Sequence, residues 1–525
     1  MFNIFAMFAL SSYWSYLAVF VSINSAILFA FYNYCSSTHG FWKTLNVPYV
    51  RPIPVFGNYF RVAFGMEHHV DLYRRIYHQL AGHKYGGFFQ MRTPYLMIRD
   101  PELIKTILVK DFMNFPDRGI ETDFSINPLS LNLFFSRSKD WKTMRNKLSP
   151  TFTSGKLKSM YDQIRNCSDL LILNLRETLK ETDEIDFKST CLKYSTDIMG
   201  TCFYGLKMDS LVDESSEFVK YGKTIFKPSL RVVFREISVM INPVFLKILR
   251  IRDFPSEASN FFYNTFWNIM KYREENNIVR NDFVQILMQV RKDLVLNENL
   301  LPEEKLTDTH IISNAFVMFA AGLETLSSSL SFCLYELSLK KHIQDKAREE
   351  IKSIMAKNSS GEIHNDSFTE LTYLNMIISE TLRKYPAAHA LFREASQMYQ
   401  IPNSSLIIAK GQKLVIPTYS MHYNAQYYPD PETFDPERFS QEEKIKRPSG
   451  TYFPFGDGPR ICIGKRFAEF ALKMALIEIL SNYEVEPCEK TKIPMQFGKG
   501  SLIILPENEV WLKLNLIADN NTSLA

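Results

Sequence analysis

Two stretches of the chain are unusual for how few polar positions interrupt them. From Tyr13 to Tyr34 the residues are mostly apolar, broken by Ser15, Ser22, Asn24, Ser25 and Asn33, and no Asp, Glu, Lys or Arg precedes Lys43. Such a run is long enough to cross a bilayer as a helix. The second stretch runs from about Thr307 to Leu339, where Glu324 is the only charged residue between Asp308 and Glu336. As a helix of about 33 residues it would extend about 50 Å. Glu324, Gly322 and the serines at 327–329 are disfavoured in lipid without partners, so a long buried core helix is expected rather than a second span. Gly322 with Thr325 would allow a local kink at its middle. Leu371, Leu374, Ile378 and Leu382 recur at 3/4 spacing and predict a helix over about Thr369 to Tyr385, ended by Pro386. Residues 87–98 and 406–416 read as hairpins, and residues 500–505 and 510–514 as a late β pair. The pattern is that of one large, mainly helical domain with small β-sheets and an N-terminal transmembrane anchor.

An uncleaved anchor fits the N-terminus better than a cleaved signal peptide, because no basic region precedes the apolar run and no clear cleavage site follows it. Lys43 and Arg51 after the span place the body in the cytoplasm. Pro48, Pro52 and Pro54 predict a stiff, extended spacer. The expected layout is an anchor over 1–35, a proline-rich hinge over 36–60 and a catalytic domain over 61–525.

Composition changes this picture little. The chain has 525 residues, 46% hydrophobic and 22% charged, with a net charge of +4. No nucleic-acid partner is implied by so weak a bias. The seven cysteines are scattered, odd in number and contain no CxxC, which argues against a disulfide framework or a structural zinc site. That agrees with a reducing cytoplasmic location.

One cysteine has special surroundings. Phe455-Gly-Asp-Gly-Pro-Arg-Ile-Cys462-Ile-Gly464 is a glycine-rich loop that leads into a strongly periodic helical segment from Lys465 to Leu480. Backbone N–H groups and a helix N-terminus favour an anion there and should lower the thiol pKa. Cys462 is thus a candidate thiolate, either a nucleophile or a metal ligand. A nucleophile needs a histidine base, and none lies in the loop; a thiolate ligand to haem iron needs none.

The loop FGDGPRICIG resembles the haem-binding signature of the cytochromes P-450, the haem-thiolate monooxygenases. Other landmarks of that family follow in order: Trp141 to Arg145 resembles WxxxR, Ala321 to Thr325 (AGLET) the oxygen-binding helix motif, Glu380 to Arg383 (ETLR) the ExxR motif, and Pro436 to Phe439 PERF. Five ordered motifs are specific where one ExxR alone is not. The likeness covers essentially the whole chain and points to the microsomal, insect xenobiotic-metabolising type.

The resemblance implies a single helix-rich fold holding haem b, with Cys462 as the iron ligand. Phe455 would pack beside the haem, and Gly458 and Gly464 would permit the tight loop. Trp141, Arg145, Arg393 and Arg460 match positions that contact the propionates, with Arg118 as a further candidate. Glu324 and Thr325 would be the proton-delivery pair, and Gly322 would open room for oxygen. Glu380, Arg383 and Arg438 would form a structural charge cluster. Phe124, Phe134, Phe316, Phe319 and Ala320 are candidate substrate contacts, beside Leu131 and Phe135. The implied reaction inserts one atom of O2 into a lipophilic substrate, using electrons from NADPH.

Those electrons would arrive through NADPH–cytochrome P-450 reductase, with cytochrome b5 as a further donor, because no dinucleotide fingerprint appears in this chain. Lys139, Lys142, Lys147, Lys156, Lys158, Lys465 and Arg466 would form the basic docking face. The implied setting is the endoplasmic reticulum membrane. Residues 231–254 are apolar enough for a second, shallow membrane contact. Ala387 stands where the family usually has proline, which loosens any transfer of substrate from relatives. Detoxification of insecticides or plant toxins is the favoured role; oxidation of a hormone or fatty acid, and a membrane-tethered haem sensor without turnover, are the alternatives.

Overall fold

The computed structural model describes residues 2–517 apart from 214, 228, 281, 296–305, 359–362, 364, 500 and 502. Helices dominate it. Those that matter for the site are α1 (Phe2–Ser36), α2 (His69–Gln79), α3 (Ser138–Leu148), α4 (Phe187–Met199), α5 (Glu217–Ile225), α6 (Leu230–Ile241), α7 (Val244–Ile248), α8 (Ser256–Glu275), α9 (Asp308–Leu339), α10 (Thr372–Lys384) and α11 (Lys465–Asn482).

Helix α9 is the axis of the core, as the charge-poor stretch predicted. Several of its buried polar residues donate to carbonyl oxygens. Ser331 Oγ donates to Ser327 O at 2.8 Å, and Asn314 Nδ2 donates to His310 O at 2.6 Å. Asn314 Oδ1 accepts from Leu133 N at 3.0 Å and ties the loop before α3 to the helix. Partners of this kind remove the cost of burying hydroxyls and amides. The helix runs without interruption through Gly322. A Cβ on Gly322 would stand 2.3 Å from Met199 Cε, so the glycine serves the close approach of α4.

Among the described residues, nine short strands form three sheets. β1 (Tyr85–Gln90), β2 (Thr93–Ile98), β4 (Leu391–Glu394) and β7 (Lys413–Ile416) make one in the order β1-β2-β7-β4; β3 (Glu184–Asp186), β8 (Tyr483–Pro487) and β9 (Trp511–Leu516) make a second; β5 (Tyr399–Gln400) and β6 (Ile407–Ile408) make the third. The hairpin expected over 87–98 is present as β1–β2. That expected over 406–416 is not. β6 pairs back with β5, while β7 runs parallel to β2 and antiparallel to β4, so its two halves belong to different sheets. The late strand β9 pairs with β8 and β3 rather than with 500–505. Residues 500 and 502 of that segment lie outside the described residues, and 503–505 form no strand.

Side chains 13–34 of α1 are all exposed, as for a segment whose solvent is lipid. The chain then turns onto the domain. The Arg92 guanidinium lies 3.8 Å from the Tyr34 ring centre, and Trp42 Nε1 donates to Phe88 O at 3.2 Å. The proline-rich segment is docked as well: Val50 N donates to Gly87 O at 2.9 Å and Gly87 N to Pro48 O at 2.7 Å. Gly87 has to be glycine, because a Cβ would meet the Trp42 ring at 2.3 Å. Across the molecule, α6 and α7 expose Leu230, Phe234, Val244, Ile248 and Leu249. Asn242 Nδ2 donates to Tyr34 Oη at 3.1 Å and joins this apolar face to the end of α1.

Candidate active site

The loop before α11 is shaped by its glycines. Gly456 and Gly458 have φ of +77° and +71°. A Cβ on Gly458 would stand 1.8 Å from Leu108 O, so no other residue fits. Cys462 N donates to Phe455 O at 2.9 Å, and Ile461 N to Gly458 O at 2.9 Å, closing the loop around the thiol. Gly464 N-caps α11, and a Cβ there would meet only Cys462 Sγ, at 4.0 Å.

Cys462 is surrounded by protein on every side and yet remains open to a water-sized probe. A residue closely surrounded by protein but with open surface lines a cleft or a cavity. Burial pushes the thiol above its ordinary pKa, against the Gly464 N–H, Arg145 and Arg118, which pull it down. The lowered pKa expected from the helix terminus is therefore outweighed by desolvation. A cation bound at sulfur would remove that barrier, since a coordinating thiol gives up its proton.

Cations converge on the same place. Arg118 donates to Phe134 O at 2.8 Å and lies 4.5 Å from the Phe134 ring centre. Arg460 stacks on Trp141 at 4.2 Å, donates to Pro116 O (2.7 Å) and Ser136 O (2.9 Å), and reaches Asp117 at 3.4 Å. Arg393 on β4 is buried with its Nε unpartnered. Arg145 on α3 is half-buried. Burial, then mutual repulsion, brings Arg118 down to about 10, Arg393 to about 9 and Arg460 to about 8. Several enclosed guanidiniums, one of them with an unpartnered nitrogen, call for an anion bearing more than one charge. A haem with two propionates fits: anionic edge toward the arginines, metal toward Cys462. Phe455, partly buried in the same loop, lies 5.9 Å from Lys465 Nζ. Among the described residues no group of three His, Cys, Asp or Glu could hold a metal, so a metal at Cys462 has to bring other ligands with it.

A second open face lies on α9. Ala321 is exposed although Ala320 and Leu323 beside it are buried, and Thr325 one turn on is half-buried. The room at this turn therefore comes from Ala321, because the side of Gly322 is filled by Met199. Thr325 Oγ1 donates to Ala321 O at 2.6 Å, leaving its lone pairs free to accept. Glu324 is buried, and burial raises its pKa to about 7 against the pull of Lys188 on α4 and Lys223 on α5. A carboxyl that exchanges a proton near neutrality suits acid–base work.

Glu380, Arg383 and Arg438 come together as expected. Arg383 Nε and Nη2 donate to Glu380 Oε2 (2.7 Å) and Oε1 (2.8 Å) with neither side chain exposed. The rest of the Arg383 fork goes to His422 O (3.0 Å) and Pro431 O (2.9 Å), and Arg438 reaches Glu380 at 3.5 Å.

The candidate substrate residues divide. Phe134 is 44% exposed and belongs with the Arg118 group, and Phe124 is half-buried in the preceding loop. Phe316, Phe319 and Ala320 are closed off: Phe316 packs on Phe254 and Phe262, and Phe319 on Tyr204, Phe218 and Phe262. Sequence reasoning missed Ala321, and a buried polar group of Tyr59, His69 and Glu236 that joins α6 to the segment before α2. The adjacent His68 and His69 were the available signal; nothing marked Glu236.

The family model for Cytochrome P450 matches residues 47–514. The chain is 37% identical to cytochrome P450 6k1 of Blattella germanica over 92% of this chain and 94% of that protein. It is 35% identical to a probable cytochrome P450 6a14 of Drosophila melanogaster, over 95% of this chain and 99% of the relative. With cytochrome P450 6B1 of Papilio polyxenes the identity is 32%, over 95% and 99%.

Proposed function

The chain belongs to the cytochrome P450 family and is a haem-thiolate monooxygenase, and on that premise we propose that it oxidises lipophilic foreign compounds, insecticides or plant toxins, at a membrane surface. The haem would supply oxygen activation, with the thiolate donating electron density. In this reading Cys462 ligates the iron, Phe455, Gly458 and Gly464 shape the bed beside the sulfur, and Trp141, Arg145, Arg393, Arg118 and Arg460 hold the anionic edge. Arg393 Nε is the donor with the most to gain, since it has no partner among the described residues. Thr325 and Glu324 would serve proton delivery: the Thr325 hydroxyl, its own proton directed at Ala321 O, accepts a hydrogen bond and so orients a water, and Glu324, poised at about 7, exchanges protons with water. Phe134 and Phe124 face the substrate, with Phe316, Phe319 and Ala320 behind them as the support that sets pocket size.

Electrons would come from NADPH through NADPH–cytochrome P-450 reductase, with cytochrome b5 as an additional donor. Lys139, Lys142 and Arg466 are exposed and suit an acidic partner. Residues 1–35 would anchor the protein in the endoplasmic reticulum membrane, 36–60 set the angle of the domain, and 61–525 carry the chemistry. The exposed apolar face of α6 and α7, tied to the end of α1, would rest in the same membrane and admit substrate from it.

The observation that carries the reading is Cys462, exposed within its glycine-shaped loop, with Arg145 and Arg118 close enough to act on its thiol. Reconstitution with reductase tests it: substrate-dependent NADPH oxidation with hydroxylated product is expected for apolar toxins. Turnover confined to hormones or fatty acids would refute the detoxification role, and turnover without reductase would refute the electron route.

A further inference from the structure

Behind α6 lies a polar cluster that the proposed chemistry does not use. Tyr59 Oη donates to Glu236 Oε2 and meets His69 Nε2 at 2.8 Å; His69 Nε2 is 3.4 Å from Glu236 Oε2. Tyr59 and His69 are buried. His389, from the turn before β4, stacks on His69 (5.5 Å) and on Tyr73 (5.4 Å), and His68 sits edge-on to it at 5.9 Å. Among the described residues, both ring nitrogens of His389 and Nδ1 of His69 have no hydrogen-bond partner. His68 Nδ1 accepts from Val70 N at 3.0 Å, and the Ser501 backbone lies close to the same ring.

Helix α6 needs fastening. Of its twelve residues only Ser238 is fully buried, and Leu230 and Phe234 point outward. It is held instead by polar contacts: Arg235 to Asp253 (2.5 Å) and Glu121 O (2.6 Å), Arg231 to Asp253 O (2.6 Å), Thr93 to Met240 O (3.1 Å), and Glu236 to the cluster. The Glu236 contact reaches the buried Tyr59 and His69.

We propose that Glu236, Tyr59 and His69 form a proton-sensitive latch that holds α6 down while the imidazole stack behind it is neutral and releases it as the stack takes up protons. The unpartnered nitrogens make the closed form the poorer proton acceptor, because each gains a partner only when the seam opens to water. Burial first, then the neighbouring imidazoles, hold His68 down to about 4 and His389 well below the ordinary histidine value. Burial pushes Glu236 up, but His69, Tyr59 and Arg235 together bring it below the ordinary carboxylate value, so it stays ionised across the relevant range.

The sign follows from these depressed histidines. The closed form binds fewer protons than the open form, so its advantage is complete above about pH 6.5 and is lost as pH falls below that. Each depressed imidazole shifts the balance about tenfold between pH 7.5 and 5.5. A charged His69 beside Glu236 pulls the other way. The remaining groups facing the cluster are Arg235 from α6, Asp71 and Tyr73 from α2 and Tyr95 from β2. Release would open the seam between α6 and residues 59–73, leading from the apolar outer face to the turn that carries His389 into β4.

Hydrogen exchange on the full-length holoenzyme in lipid nanodiscs tests this, with rates corrected for the intrinsic effect of pH. Protection of residues 230–241 should fall about tenfold or more from pH 7.5 to 5.5 while α9 stays protected. Glu236→Gln should lower α6 protection at both pH values. His389→Phe, which keeps the stacking, should reduce the pH response about tenfold; His68→Gln serves the same purpose should that variant fail to fold. A flat response in the wild type, or an unchanged response in the histidine variant that folds, would overturn the latch.

Discussion

Replacing Arg383 with methionine isolates what the buried charge cluster contributes. The substitution keeps much of the side-chain volume but leaves Glu380, fully enclosed, without the two charge-assisted bonds at 2.7 and 2.8 Å. It also strips donors from His422 O and Pro431 O. Breaking a buried pair by removing one partner costs about 3–5 kcal/mol, against a total stability on the order of 5–15 kcal/mol. The folding equilibrium should shift by roughly 10²–10³-fold or more, and little haem-loaded protein should accumulate. The assay is the yield of soluble, haem-containing protein together with its thermal unfolding. The double variant Glu380→Gln, Arg383→Met should be less impaired than Arg383→Met alone, because the fully enclosed carboxylate is then gone, and Arg438, which loses its contact at 3.5 Å, still donates to Asp430 O. Wild-type stability in the single variant, or strictly additive losses in the double, would refute the reasoning.

Gly458→Ala should abolish haem loading, since its Cβ would lie 1.8 Å from Leu108 O, whereas Gly464→Ala should fold and alter only the absorbance of the thiolate-ligated haem; absorbance spectra of both variants check this. Glu324 has its pKa raised to about 7, so the folded protein holds this proton more tightly than the unfolded chain and its contribution is lost as pH rises from about 4.5 to 7. The stability of the wild type relative to Glu324→Gln should therefore drop by about 2–3 kcal/mol from pH 5 to 8, read by denaturant unfolding at both pH values. Thr325→Ala removes a hydroxyl whose only protein bond among the described residues is to Ala321 O, so it should cost no more than about 1 kcal/mol in stability while lowering product formed per NADPH consumed.

Much of this was legible in the sequence because local rules and global fold agree. An uncharged run of helix length predicts an exposed α1, and a charge-poor run with serines and one acid predicts α9, since hydroxyls can bond to the helix's own carbonyls. Glu380 and Arg383 share a helix face by spacing alone. What escaped depends on residues distant in the chain. The two halves of 406–416 look like a hairpin, but strand partners are chosen by packing, and β7 finds β2 and β4. Gly322 looks like an opening for a ligand; which helix fills the space beside it is a tertiary fact, and Met199 does. Helix-terminus logic predicts an acidic thiol at Cys462, and desolvation, invisible in sequence, wins. Glu236 lies in an apolar, surface-facing helix and meets its partner Tyr59 across 177 positions of sequence.

The central claim is that Cys462 binds haem iron through its sulfur, and the spectrum of the reduced, carbon monoxide-bound protein tests it most directly. A strongly red-shifted Soret band that disappears in Cys462→Ala is the expected result. A band typical of imidazole ligation, or a red-shifted band that survives in Cys462→Ala, would contradict the account.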